Sequence, residues 1–135
     1  MNNENNCCIG NILQVICLLQ EKAGKVDDIP NSCDRPFLGV INTGNSFVFN
    51  TRPVTLYSCE NSQISIPYTL NGTTGTSTVF RVEKISGCCT TLRVLAPNPD
   101  TTSTLPYVGT DSFFTINSKC IGALRCLADT FVDCL

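Results

Sequence analysis

Ten cysteines in a chain of 135 residues set the tightest constraint on what this sequence can fold into. They stand at Cys7, Cys8, Cys17, Cys33, Cys59, Cys88, Cys89, Cys120, Cys126 and Cys134. Such density ordinarily marks an oxidising compartment, where bridges supplement a small core. Yet the chain opens Met-Asn-Asn-Glu-Asn-Asn, with no cation before Lys22, and a secretory leader needs a basic segment ahead of its apolar run. The apolar stretch 7–19 is too short and too interrupted to cross a bilayer. The expectation is a protein made in a reducing cytosol without a signal peptide, engaged with no membrane, and equipped for later oxidation.

The chemistry open to these thiols is narrowed by what the chain lacks. Histidine is absent, and with it go the commonest general base, the Ser-His and Cys-His pairs, and every His-containing metal site. Structural zinc wants ligand pairs at spacings such as C-x₂₋₄-C; here the nearest cysteines are adjacent or at least six positions apart. No metal and no cofactor are expected. A nucleophilic thiol needs a lowered pKa, which a helix start near Cys7 and Cys8 would favour, but nothing supplies a base or an oxyanion site. The chain therefore reads as no enzyme. Its net charge of −2, without a basic run, also removes the counterion-release term that holds nucleic acid. Charged residues make up 15% of the chain and Ser, Thr and Asn together number 39, so the surface is neutral polar rather than ionic.

Apolar residues Ile9, Ile12, Leu13, Ile16 and Leu19 recur at spacings of three and four, predicting a helix capped by Asn5 or Asn6 and stopped near Gly24. Val15, Cys17 and Leu18 lie off that stripe. Either the helix is buried within its own domain, or these three residues form a second face that grips a neighbouring subunit. From Pro36 onward the texture is β: strands are predicted at 37–41, 46–49, 54–58, 63–66, 79–85, 89–95, 113–117 and 120–127, with 71–78 and 96–106 as exposed loops. The organisation expected is a polar arm and amphipathic helix over residues 1–30, then a cysteine-rich β-domain over 31–135. The fold class is mainly β, a single sandwich or jelly-roll-like domain with an N-terminal helix.

One hairpin can be argued residue by residue. A two-residue turn at Ser86-Gly87 would mix apolar and polar side chains on both faces of strands 79–85 and 89–95. Shifting the parity by one pairs Phe80 with Val94 and Val82 with Leu92 as a core face. It also gathers Arg81, Glu83 and Arg93 on the other, with Glu83 between two cations. Because register follows such segregation, an odd-length loop or a bulge at Cys88-Cys89 is expected.

Geometry limits the bridges too. A disulfide spans roughly 4.4–6.8 Å between Cα atoms, whereas a strand from Cys120 to Cys126 separates them by about 20 Å and a helix by about 9 Å. These two cannot pair with each other. The Cys88-Cys89 doublet, if extended, sends at most one side chain into the core. Surplus surface thiols on such a chain invite links between chains.

Several strings resemble one family. Pro36-Phe-Leu-Gly39, Asn50-Thr-Arg-Pro53, Phe80-Arg-Val-Glu83, Leu92-Arg-Val-Leu95 and the stretch Cys120-Ile-Gly-Ala-Leu-Arg-Cys-Leu127 are similar to the spore outer-coat proteins Y and Z and the exosporium basal-layer proteins of Bacillus and its relatives. The resemblance implies a structural protein that self-assembles into disulfide-linked, hexagonal two-dimensional layers with itself and related spore-surface proteins. It implies synthesis in the mother-cell cytoplasm and a place on the spore surface, which reconciles the cysteine count with the missing leader. Cys8, Cys33, Cys89, Cys120 and Cys126 fall on family cysteines, and Gly122 stands where the family pattern leads one to expect another. Cys33, Cys89, Cys120 and Cys126 are expected to be intrachain or buried. Cys7 or Cys8 first, and Cys134 second, are the candidates for links between subunits, since terminal arms reach a neighbour with little strain. The competing reading is a cysteine-rich β-sandwich binding module for carbohydrate or a partner protein. That module would want an aromatic platform, and the chain has no Trp and three Tyr.

Overall fold

Helix α1 occupies Cys8–Glu21, and its three-four spacing turns Leu13, Ile16 and Gln20 inward as the period of 3.6 requires. The computed structural model describes residues 8–21, 49–132 and 135. The predicted helix caps and the strand at 37–41 lie outside them, as does the strand at 46–49 except for Phe49, which takes no regular structure. Among the described residues seven strands follow α1: β1 Val54–Ser58, β2 Ile66–Leu70, β3 Thr73–Ser77, β4 Phe80–Ser86, β5 Cys89–Pro97, β6 Tyr107–Asn117 and β7 Ile121–Cys126. They form two antiparallel sheets, one in the order β6-β5-β4-β1-β7 and the other the β2–β3 hairpin. The protein is thus mainly β with one N-terminal helix, in keeping with a sandwich.

The larger sheet cannot be flat. β1 meets β4 through the pair Val54↔Phe80, a short seam in the sheet. Its edges are β6 and β7, yet a single 3₁₀ turn, Ser118–Cys120, joins them. Five strands laid flat would separate those edges by about 19 Å, and three 3₁₀ residues rise only about 6 Å. The sheet therefore curls until the C-terminal end of β6 approaches the start of β7. Helix α1 packs inside the curl against β4 and β7, and the β2–β3 hairpin packs against β5 and β6. Leu13, Ile16, Val54, Leu56, Phe80, Val82, Leu92, Val94 and Ile121 are buried together between them, with the Phe80 and Phe114 rings edge to face at 4.9 Å.

Two loops of the sequence reading are corrected. Residues 71–78 are not a loop: Asn71 and Gly72 both have positive φ, 52° and 80°, and turn β2 into β3 as the two-residue hairpin that Asn-Gly favours. The Thr-rich run after it is β-branched and pairs as a strand. At the other loop, β5 runs on to Pro97 and β6 begins at Tyr107 rather than Phe113. Three residues, Thr110, Asp111 and Ser112, stand opposite Val94 alone, a bulge of two extra residues. They break the strand pattern in sequence, but Thr110 secures them, its hydroxyl donating to the Val94 carbonyl at 2.7 Å.

Candidate functional site

In the β4–β5 hairpin, Phe80 pairs with Val94 and Val82 with Leu92, and all four side chains are fully buried. The parity is set by a bulge at Glu83, not by Cys88-Cys89. Ser86 pairs with Cys89 across the two-residue turn Gly87-Cys88, with Gly87 at φ 58°. Unbroken, that turn would point Lys84 at the core; the extra residue sends Glu83 and Lys84 outward and returns Ile85 to the core side. On the outer face Glu83 Oε2 accepts from Arg81 at 2.8 Å and from Arg93 at 3.0 Å. The Arg93 guanidinium also lies 4.5 Å from the centre of the exposed Phe113 ring.

Asn50-Thr-Arg-Pro53 acts as a staple that sequence reading did not assign. Asn50 brackets Val132, donating to its carbonyl at 3.0 Å and accepting from its N–H at 2.9 Å. Thr51 bridges Thr130 and accepts from Arg81 at 2.9 Å. Arg52 is buried against Asp129, and its backbone N–H donates to Gln20 Oε1 at 3.0 Å. Helix, sheet and C-terminal segment therefore converge on four consecutive residues.

The helix face proposed for a neighbour divides. Val15 and Leu18 are exposed, at 39% and 52%. Cys17 is not part of that face: it packs against the core, its Sγ donating to the Glu83 carbonyl at 3.8 Å and lying 4.0 Å from a Glu21 carboxylate oxygen. Burial first, and the Glu21 carboxylate second, push its thiol above the ordinary value of 9.0. The reason is rotational: position 17 follows buried Ile16 by one step of 100° and precedes Gln20 by one turn, which leaves it on the flank nearest β4.

Cys7, Cys33 and Cys134 lie outside the described residues. Cys126 is half-buried beside the core and disulfide-bonded. Cys89 and Cys120, expected to be bridged or buried, are free and exposed, as are Cys8, Cys59 and Cys88. Cys89 opens β5 at the hairpin tip and Cys120 closes the 3₁₀ turn, so neither reaches the packed layer. At Gly122, where a further cysteine was expected, the residue is a bulge between Ser58 and Tyr57 of β1. A Cβ there would fall 2.7 Å from the Ser58 carbonyl oxygen and 2.8 Å from Cys59 Cα, so this backbone admits only glycine.

Among the described residues no three His, Cys, Asp or Glu side chains converge as a metal site would need, and no helix is long and apolar enough to cross a membrane. A curled β-sheet lined by a helix, with an ionic staple and thiols on its outside, defines a small cysteine-rich structural β-domain. The chain matches the Spore coat protein Z family over residues 1–106 and belongs to it. Its role is accordingly a structural one in the spore coat, at the spore surface. The C-terminal string 120–127 lies beyond the matched residues. No curated protein and no solved structure matches the chain significantly.

Proposed function

We propose that this protein is a non-enzymatic building block of the spore surface, in the outer coat, crust or exosporium basal layer, which assembles with copies of itself into a two-dimensional, hexagonal, disulfide-reinforced lattice. The observation that carries this reading, alongside family membership, is the set of five free, exposed thiols among the described residues of one small domain. A soluble single-copy protein gains nothing from such thiols, which oxidise and cross-link. A low density of charge supports the same reading, since like charges oppose dense packing of copies. Apolar contacts hold interfaces independently of bridges, so order survives reduction while covalent links do not. Negative-stain electron microscopy of the purified protein, with and without reductant, tests this. Ordered sheets or rings are expected in both, with covalent oligomers in the oxidised sample alone. A monomer at every concentration and redox state refutes the proposal.

A further inference from the structure

The exposed thiols are gathered at one end of the molecule. Cys59 follows β1, and its Sγ lies 3.6 Å from the Lys119 carbonyl oxygen in the turn that ends at Cys120. The neighbouring Ser118 donates its N–H to the Cys88 carbonyl at 2.8 Å, and Cys89 pairs with Asn117. One short turn thus draws four thiols from three strand ends into a single neighbourhood. Helix α1 runs antiparallel to β4, with Gln20 at Val82 and Cys17 at Glu83. Its first turns therefore lie at this end, where Gly10, Asn11 and Gln14 face Gly87, Cys88 and Lys119 across a groove of about 320 Å³. Cys8, one turn further on, stands at the border of the same end.

We infer that this end, through Cys59, Cys88, Cys89 and Cys120, is the covalent joint between one copy of the chain and the same end of a second copy. The inference rests on the assembly reading above and names its linking residues. All four thiols are exposed, and none is bridged to another within the chain. Glu60 and Lys119, exposed and opposite in sign, stand beside Cys59 and Cys120, so an isologous contact can set the acid of one copy against the base of the other. Such a contact uses the same patch on both partners. Each bridge forms when one thiol from each copy gives up its proton and one electron. The S–S bond joins the two sulfurs, and dissolved dioxygen takes both electrons and both protons to become hydrogen peroxide.

The test mixes full-length chain made with ordinary and with heavy nitrogen, reduces it, and lets it oxidise in air. Digestion without reductant followed by mass spectrometry is expected to recover mixed-label bridges between peptides holding Cys59, Cys88-Cys89 or Cys120. In parallel, a variant with all four changed to Ser is expected to lose at least nine-tenths of its covalent oligomer on non-reducing gels. Its circular dichroism should be unchanged, because the replaced side chains are exposed. A Cys7→Ser/Cys8→Ser variant is expected to keep most of that oligomer. Mixed-label bridges confined to the peptides of Cys7, Cys33 or Cys134, or a four-fold variant with the parent's ladder, overturn the joint. If that variant still forms ordered assemblies, the assembly reading stands while the joint falls; if the parent forms neither ladder nor assembly, both fall.

Discussion

Arg52 and Asp129 form a two-pronged ion pair, Nε to Oδ1 at 2.9 Å and Nη2 to Oδ2 at 3.3 Å, with both side chains almost entirely withdrawn from solvent. The pair sits where three pieces of chain meet. Gln20 of α1 accepts from the Arg52 N–H and donates at 2.7 Å to the Val82 carbonyl in β4, while Asp129 belongs to the C-terminal segment that bridges back at Thr51↔Thr130. Forked geometry suits Arg alone, since a lysine offers one point of charge instead of a planar fork.

Removing one partner leaves the other charged and buried. Asp129→Ala is expected to lower stability by about 3–5 kcal/mol in urea unfolding, and Arg52→Lys to lower it measurably as well. Replacing both together, as Arg52→Met/Asp129→Leu, is expected to recover much of the loss, because no unpaired charge remains. A single Asp129→Ala variant as stable as the parent would show that the staple does not hold the fold.

The β4–β5 core face makes a graded prediction. Val82→Ala is expected to cost about 1–3 kcal/mol and Phe80→Ala about 3–5 kcal/mol, the aromatic leaving the larger cavity beneath Phe114. Denaturant titration at constant slope checks the order. Equal costs at the two positions would mean that the space under Phe80 collapses on truncation.

Cys17 should be the slowest of the described free thiols toward iodoacetamide. Its raised pKa keeps the thiolate scarce, and its contact with the Glu83 carbonyl shields it. The sign for stability follows from linkage. A thiol whose folded pKa lies above its unfolded value favours the folded state below the ordinary thiol value, and that contribution is lost as pH rises through the folded pKa. Stability is therefore expected to fall on the alkaline side of about pH 9, and Cys17→Ala to flatten that fall. Mass-spectrometric labelling rates and unfolding between pH 7 and 10.5 measure both effects. Labelling of Cys17 as fast as of Cys8 would contradict the placement.

Local pattern carried much of the architecture. The three-four spacing of Ile9, Leu13 and Ile16 is a property of the chain alone, and so is the segregation of Phe80, Val82, Leu92 and Val94 from Arg81, Glu83 and Arg93. Only one parity buries the first group, so the register follows before any coordinates are known. Asn71-Gly72 and the Thr-rich run beyond it read together as an exposed loop, and only the pairing of that run with β2 makes it a strand. What sequence could not reach was the means of achieving that parity. A bulge at Glu83 and an odd turn at Cys88 give the same pairing from Phe80 to Val82 and differ only beyond it, where the structure pairs Lys84 with Thr91.

By itself, the sequence determined a helix followed by short antiparallel strands, the face that the β4–β5 hairpin buries, and the exclusion of histidine chemistry, because these depend on residue type and near neighbours. Tertiary structure alone decided that Arg52 meets Asp129 across 77 positions, and that Gly122 must lack a side chain. It alone decided that cysteines separated by up to 61 positions, Cys59 and Cys120, meet at one turn. The physical reason is the curl of the sheet. No local propensity encodes which strand ends are drawn together when edges β6 and β7 are joined by three residues; that is settled only when the whole sheet closes over its core.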